Sequence, residues 1–348
     1  MNSWIEHLQA HQAVIERSGT PEFPQFRVTG FLDHQTPNAA DPGALVCPLL
    51  DWVAVSINGA EAATFLQGQF TNDVEQLGIN AVQLNGYCSP KGRMLANFAM
   101  ARLADDEFRL LLPADIAAAF VRRLRMFVLR AKVVVTPLDA THACFGLLGV
   151  VGVSQSAGIV HDGGGTLLIG LPDRRTLAVT DLAQAPAFWN ACLRAATPAG
   201  SSAWDGLAIR AGVPFVTAAT QDRFVPQMLN WEVLGGVNFR KGCYTGQEIV
   251  ARMQYLGRLK ERLYRARVDQ AVVGAGASVF GQQFGDQSCG TIINAAPSDA
   301  GGSEVLAVLQ VSSAATDMLR LASGNAGPVL ELLPLPYEIP APRGPQKA

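Results

Sequence analysis

The texture of the chain changes near residue 257, and that change constrains the fold more than any single residue does. Beyond it, short strand-like runs (263–268, 277–280, 289–294, 304–311 and 329–333) alternate with Gly, Asp and Ser. Short strands leave unpaired edges, so a succession of them is expected to close into a small barrel or sandwich. Before residue 257 the apolar residues recur with both strand and helix periods, the pattern of an α+β fold. The expected organisation is an N-terminal helix and loop extension (1–45), an α+β body (46–256), a C-terminal β-barrel (257–338) and a Pro-rich tail (339–348).

Within the first part, residues 3–17 read as an amphipathic helix. Ser3 and Glu6 form a capping-box pattern, and Trp4, Ile5, Leu8, Val14 and Ile15 fall near one face. Residues 18–44 are rich in Pro, Gly and polar types and read as a connection. Residues 53–57 form a strand, 61–66 a helix, and 84–89 with 94–103 a hairpin around Pro90-Lys91-Gly92-Arg93. A strand follows at 108–112. Residues 115–130 carry a strong helical period, with Ile116, Phe120, Leu124, Phe127 and Val128 inside and Arg122, Arg123, Arg125 and Arg130 around them. Strands at 132–136, 145–151, 166–171 and 176–180 precede a helix near 181–196.

Composition removes several classes of function. The 348 residues carry 27 Lys+Arg against 29 Asp+Glu and are 49% apolar. A chain kept disordered by charge is excluded, and so is a protein whose whole surface neutralises phosphates. Six cysteines (Cys47, Cys88, Cys144, Cys192, Cys243 and Cys289) lie far apart, with no C-x-x-C or His/Cys cluster to suggest a metal. The start, Met1-Asn2-Ser3-Trp4-Ile5-Glu6-His7, lacks a basic region before an apolar stretch, and no apolar run is long enough to span a bilayer. A cytoplasmic protein without a membrane partner is expected.

The stretch Asn238-Phe239-Arg240-Lys241-Gly242-Cys243-Tyr244-Thr245-Gly246-Gln247-Glu248 is the most unusual. Cys243 follows Arg240 and Lys241 and precedes a helix start at Gln247, the setting in which a thiolate is stabilised. Gly242 and Gly246 let backbone approach a ligand closely. The other reading is an ordinary turn cysteine, with Gly242, Tyr244 and Gly246 merely shaping a tight turn.

The run K-G-C-Y-T-G-Q-E-I-V-A-R at 241–252 resembles the signature of the YgfZ family of folate-binding proteins, relatives of the glycine-cleavage T-protein (aminomethyltransferase). Further motifs follow in the family's order: Asp51-Trp52, Phe65-Leu66-Gln67-Gly68-Gln69 with Thr71 and Asp73, and Pro90-Lys91-Gly92-Arg93-Met94. After them come Trp204 to Pro214, Phe224-Val225-Pro226-Gln227, Leu234-Gly235-Gly236-Val237 and Pro334-Leu335-Pro336-Tyr337. The resemblance implies a T-protein-like folate-binding α+β body with a C-terminal β-barrel. It implies tetrahydrofolate or a derivative as ligand, with or without a polyglutamate tail, and Trp52 and Trp204 associated with it. It further implies support of iron–sulfur enzymes or their assembly factors, including those that thiomethylate tRNA, so that tRNA is affected indirectly. Cys243 and Lys241 are the candidates for the activity, with Tyr244, Gln247 and Glu248 orienting them.

Two departures from T-protein stand out. Gly92-Arg93-Met94-Leu95-Ala96-Asn97 offers no carboxylate where T-protein carries its catalytic Asp, and Arg210 stands where its relatives show a pterin-binding glutamate. A classical aminomethyltransferase is therefore not expected, although folate-dependent aminomethyl or methyl transfer is the first alternative. Direct RNA binding is the second. Between 240 and 267 eight basic residues (Arg240, Lys241, Arg252, Arg258, Lys260, Arg262, Arg265 and Arg267) face only Glu248 and Glu261. That excess suits a solvated surface, a folate tail or RNA phosphates.

Overall fold

The computed structural model describes residues 2–19, 24–33, 43–150, 158–161, 164–257, 259–270, 272–298, 301–316, 318–323 and 327–340. Its chain divides into two compact units: Met1–Gln67, Val74–Gln83 and Phe98–Trp204 form one, and Gly68–Asp73, Leu84–Asn97 and Asp205–Ala348 the other.

The first unit opens with helix α1 (Asn2–Ala10), strands β1 (Ala13–Gly19), β2 (Pro24–Phe31), β3 (Leu45–Pro48) and β4 (Trp52–Asn58), and helix α2 (Ala62–Gln67). The hairpin β5 (Val82–Cys88) and β6 (Met94–Ala104) follows, of which Leu84–Asn97 counts with the second unit, then β7 (Glu107–Pro113), α3 (Ala114–Met126) and β8 (Val134–Pro137). Strands β9 (His142–Leu148), β10 (Gly158–His161), β11 (Leu167–Gly170) and β12 (Thr176–Asp181), helix α4 (Ala185–Cys192) and the short β13 (Thr197–Pro198) complete it, and helix α5 (Ser201–Arg210) belongs to it only as far as Trp204. One sheet has the order β5-β6-β7-β4-β8 and another β10-β11-β12-β9-β3-β13. Strand β4 is apolar at nearly every position, as a central strand covered on both faces must be.

The expected helix over 3–17 stops at Ala10, and the chain reverses at Gln12, whose φ is +64°. Val14 and Ile15 instead enter β1, which pairs antiparallel with β2. Their β-branched side chains suit a pleated ladder better than a helix interior, and residues 24–31, read as loop, supply the partner. Trp4 and Leu8 keep their expected inward face and pack with Phe145 and Trp189. Helix α3 likewise ends at Met126, and Leu129 takes φ +45°. Phe127, expected inside, is therefore beyond the helical repeat and is 40% exposed.

In the second unit α6 (Gln247–Tyr255) leads into strands β14 (Glu261–Val268), β15 (Ser278–Phe280), β16 (Ser288–Pro297) and β17 (Ser303–Gln310). Helix α7 (Val311–Thr316), β18 (Leu319–Arg320) and β19 (Val329–Leu333) follow. The strands form a closed barrel in the order β14-β17-β16-β15-β18-β19, because β14 pairs with both β17 and β19. Closure removes every edge and buries Ala266, Val268, Ile292, Val305, Ala307 and Leu309 in one core. The end of the Pro-rich tail, 341–348, lies outside the described residues.

The compact units do not part at residue 256. Residues 68–73, 84–97 and 205–256 count with the barrel: they are hydrogen-bonded to one another and to its strands, the Phe215 amide donating to Asn294 Oδ1 at 2.8 Å and Asn230 Nδ2 to Leu263 O at 3.0 Å. Thr71 Oγ1 donates to Gly236 O at 2.6 Å, and Asn97 accepts from the Val216 amide at 2.8 Å. Among the described residues no helix is long and apolar enough to cross a membrane.

Candidate functional site

Three segments that are distant in sequence converge in the second unit: the loop Gly68–Asp73, the turn between β5 and β6, and residues 235–248. Thr71 anchors the loop, since its buried hydroxyl accepts from Gly86 N at 2.8 Å while donating to Gly236 O. Asn72 extends the same stitch, its Nδ2 donating to Leu84 O at 2.9 Å and to Gly235 O at 2.8 Å.

Lys241 closes the arrangement. It is 7% exposed, and its ammonium donates to Phe70 O at 2.7 Å and Asn72 O at 2.9 Å. The charge also lies 5.2 Å from the centre of the Tyr244 ring. Two carbonyls and an aromatic face replace the water a buried ammonium loses. Burial pushes the Tyr244 hydroxyl above its usual range, with neighbouring Cys88 adding to the rise.

Gly246 docks this segment on the hairpin turn. Its φ is +83°, and a Cβ there would stand 2.4 Å from Ser89 O and 2.8 Å from the Gly92 Cα. Gly92, at φ +69°, has Ile249 of α6 at the same closeness. The glycines of the K-G-C-Y-T-G and P-K-G-R motifs thus meet, and any side chain would force them apart. Ser89 then donates to Asp222 Oδ1 at 2.7 Å, tying the turn to residues 220–225. Gln247 begins α6 and its Nε2 points to Gly242 O at 3.5 Å, while Glu248 is exposed in the first turn.

Of the six cysteines, five are buried and Cys243 alone is exposed, on the surface of this motif. Burial, reinforced by Asp222, pushes the Cys88 thiol up to about 12, and burial does the same for Cys144. Those thiols stay protonated at neutral pH and are shielded from reagents. A disulfide-exchange reagent at pH 8 is therefore expected to find a single fast-reacting thiol in the native protein, lost in Cys243→Ala, and six in denaturant. A second fast thiol in Cys243→Ala would contradict the burial of the others.

The two tryptophans lie in the first unit. Trp52 starts β4 opposite Pro113 and is 7% exposed. Trp204, on α5, is fully buried, with the Arg175 guanidinium 4.7 Å from its ring and Gly146 against its face. Both are core residues, and neither ring offers an open stacking surface.

A family model described as the GCVT N-terminal domain matches residues 44–152. The tRNA-modifying protein YgfZ of Enterobacter sp. (strain 638) is 32% identical over 306 residues, covering 83% of this chain and 92% of that one. The protein of the same name from Yersinia pseudotuberculosis serotype O:1b (strain IP 31758) is 32% identical over 335 residues, covering 88% and 98%. The chain belongs to the YgfZ family. Its fold is that of T-protein: the structure of glycine cleavage system aminomethyltransferase T from Bartonella henselae matches with a TM-score of 0.73, covering 95% of this chain and 96% of that one, at 14% identity.

Within the YgfZ frame the two departures from T-protein acquire structural roles. Asn97 is fully buried, donates from Nδ2 to Pro214 O at 2.7 Å and accepts from Val216 N at 2.8 Å. Both ends of its amide are committed to backbone, where a carboxylate would offer no donor. Arg210 pairs with Glu304 of β17 at 3.8 Å, and Glu304 also holds Arg265 at 2.8 Å. The residue in the glutamate's place fastens α5 to the barrel.

Two groups of this unit have no role legible in the sequence, although Gln69 and Phe239 fall within its motifs. Asn85 is fully buried and accepts from Asn72 N at 3.2 Å, but its Nδ2 has no hydrogen-bond partner among the described residues, nor does buried Gln69 Oε1. Phe239 and Tyr255 form an edge-to-face pair with centroids 6.1 Å apart. One is in a loop and the other on α6, so no sequence period links them. No cluster of three or more metal-capable side chains occurs among the described residues.

Proposed function

We propose that this chain is a cytoplasmic folate-binding accessory protein that supports iron–sulfur enzymes and so acts indirectly on tRNA thiomethylation, with Cys243 as its reactive group and Lys241 as that group's support. The observation that carries the reading is the exposure of Cys243 alone among six thiols, on a turn clamped from beneath by Lys241 and Gly246. A thiol held on a rigid, glycine-lined turn is placed for exchange chemistry with a partner. The relatives' designation as tRNA-modifying proteins supports the link to tRNA.

For folate, the fold likeness to T-protein and the match to a GCVT domain supply the support. Two buried polar atoms support such a ligand: among the described residues Asn85 Nδ2 is an unpaired donor and Gln69 Oε1 an unpaired acceptor, groups of the kind a pterin edge complements. Trp52 and Trp204 then serve as buried supports of the body rather than as open stacking faces. The transferase alternative loses ground at Asn97, whose amide is tied on both sides to backbone.

In a strain lacking the gene, Cys243→Ala is expected to leave thiomethylated tRNA at the level of the empty strain, and full restoration would remove the cysteine from the reading. Calorimetric titration with tetrahydrofolate should give binding that weakens about tenfold in Asn85→Leu, the cost of one lost buried hydrogen bond of roughly 1.4 kcal/mol. No heat with tetrahydrofolate or its one-carbon forms would end the folate assignment.

A further inference from the structure

The local basic excess of residues 240–267 is not one patch. Lys241 is buried under the loop, Arg262 is locked on Glu232 and on Gln227 O, and Arg265 is held by Glu304. Arg258 lies outside the described residues. Arg267 is half-buried and engaged in an interaction of its own. What is left at the surface is Arg240, Arg252 and Lys260, whose side chains make no hydrogen bond or ion pair among the described residues. Arg240 lines a single feature, and Arg252 stands one helical turn from another of its lining residues, Tyr255.

That feature is a cavity of about 450 Å³ between residues 235–240 and the C-terminal half of α6, lined among others by Asn72, Asn238, Phe239, Arg240, Gln254 and Tyr255. Its volume falls in the range of roughly 300–1,000 Å³ typical of sites for one small organic group. The Phe239–Tyr255 pair forms an aromatic wall, and Tyr255 is 57% exposed, so much of its ring is open to solvent. Arg240, at the lip, presents a planar guanidinium that forks onto phosphate or stacks on a ring. Asn238 uses only its Oδ1, accepting from Arg240 N at 2.8 Å, which keeps its Nδ2 available as a donor. Arg252 lies one turn before Tyr255 on α6, on the same side of the helix, and Lys260 follows the helix. Glu248, at the opposite end of α6, is the one acidic side chain of that helix.

An open aromatic face, a fork-shaped cation at its edge and a further cation one turn along α6 constitute the recognition chemistry of a base with its phosphates. A free mononucleotide would use the cavity and Arg240 alone. Arg252, one turn from Tyr255 on α6, extends the positive charge beyond it, which favours a strand over a single nucleotide. We infer that this cavity holds one unstacked nucleotide of a single-stranded RNA segment, with its base on Tyr255, its phosphate on Arg240 and a neighbouring phosphate on Arg252. This reaches past the accessory reading, which requires no RNA contact.

The test is fluorescence anisotropy with a labelled RNA hairpin that carries an unpaired loop, against a blunt RNA duplex of equal length and against UMP and AMP. The hairpin should bind at least about tenfold more tightly than the duplex. Tyr255→Ala and Arg240→Ala should each weaken it about tenfold or more, while Tyr255→Phe stays within about twofold. Arg240→Ala should also reduce the salt slope by about one unit. Both residues are exposed, so unchanged urea midpoints confirm that the variants are folded. Equal affinity for hairpin and duplex, mononucleotide binding as tight as the hairpin's, or indifference to Tyr255→Ala would each overturn the inference. Displacement of the hairpin by tetrahydrofolate, with tetrahydrofolate affinity lost in Tyr255→Ala, would assign the cavity to folate and overturn it too. Because Cys243 lines no part of this cavity, failure here leaves the complementation test of the cysteine untouched.

Discussion

Trp204→Ala is expected to lower the unfolding free energy by about 3–5 kcal/mol, the range for deleting a fully buried large aromatic. The site has little capacity to collapse. A Cβ on Gly146 would stand only 2.3 Å from the indole, so strand β9 is already pressed against the ring. On another side Arg175, 2% exposed and paired with Asp173 at 2.6 Å, places its guanidinium over the indole. Removing the ring opens a cavity and strips a buried cation of its aromatic partner at once. Urea unfolding monitored by circular dichroism gives the number, and Trp204→Phe should cost about half as much. A loss below about 1 kcal/mol for Trp204→Ala would mean that the ring is not packed as described. The burial of Trp204 also decides what a folate titration of its variants reports. Lost binding in Trp204→Ala would report a damaged core, whereas Trp204→Phe, still folded, would report the indole's own part.

Much of this architecture is written locally in the chain. Strand β4, the β5–β6 hairpin and five of the six barrel strands carry their own period and turn residues and fall within a few residues of where those signals place them, whereas the two-residue β18 is too short to show a period. Elements whose state depends on a distant partner are different. Val14 and Ile15 continue the helical face of Trp4 and Leu8, and only β2, whose own sequence looks like loop, turns them into a strand. Phe127 keeps its helical phase in the sequence, yet the helix that gives phase its meaning stops one residue earlier.

The site divides in the same way. The glycines of its motifs are legible because a positive φ restricts the residue type, and Gly92 and Gly246 both adopt one. The direction of a long side chain is not restricted in that manner. Lys241 beside Cys243 reads as a charge for the thiol, but its ammonium goes to Phe70 O and Asn72 O, some 170 positions earlier in the chain. Arg210 reads as a changed ligand contact, and Glu304 shows it to be half of an ion pair. Similar charges serve as clamps or as open cations, and only packing separates Lys241, Arg262 and Arg265 from Arg240 and Arg252.

Lys241→Met isolates the clamp. Methionine retains much of the aliphatic length and removes the three donors, leaving the buried carbonyl of Phe70 and that of Asn72 without the ammonium. Each lost charged hydrogen bond costs roughly 1–3 kcal/mol, and release from burying the cation offsets part of it, so a destabilisation of about 2–4 kcal/mol is expected. The effect should concentrate on the loop 68–73, with amide exchange at Thr71 and Asn72 faster by more than tenfold, because Thr71 and Asn72 hold that loop on Gly235 and Gly236. Complementation then separates support from chemistry. If Lys241 acts by holding the turn, Lys241→Met loses activity in proportion to its lost stability and regains it at low growth temperature. Cys243→Ala, exposed and stably folded, stays inactive at every temperature. A Lys241→Met protein of undiminished stability that is nonetheless inactive when cold would instead give the ammonium a direct part in the chemistry and remove the clamp as its main role.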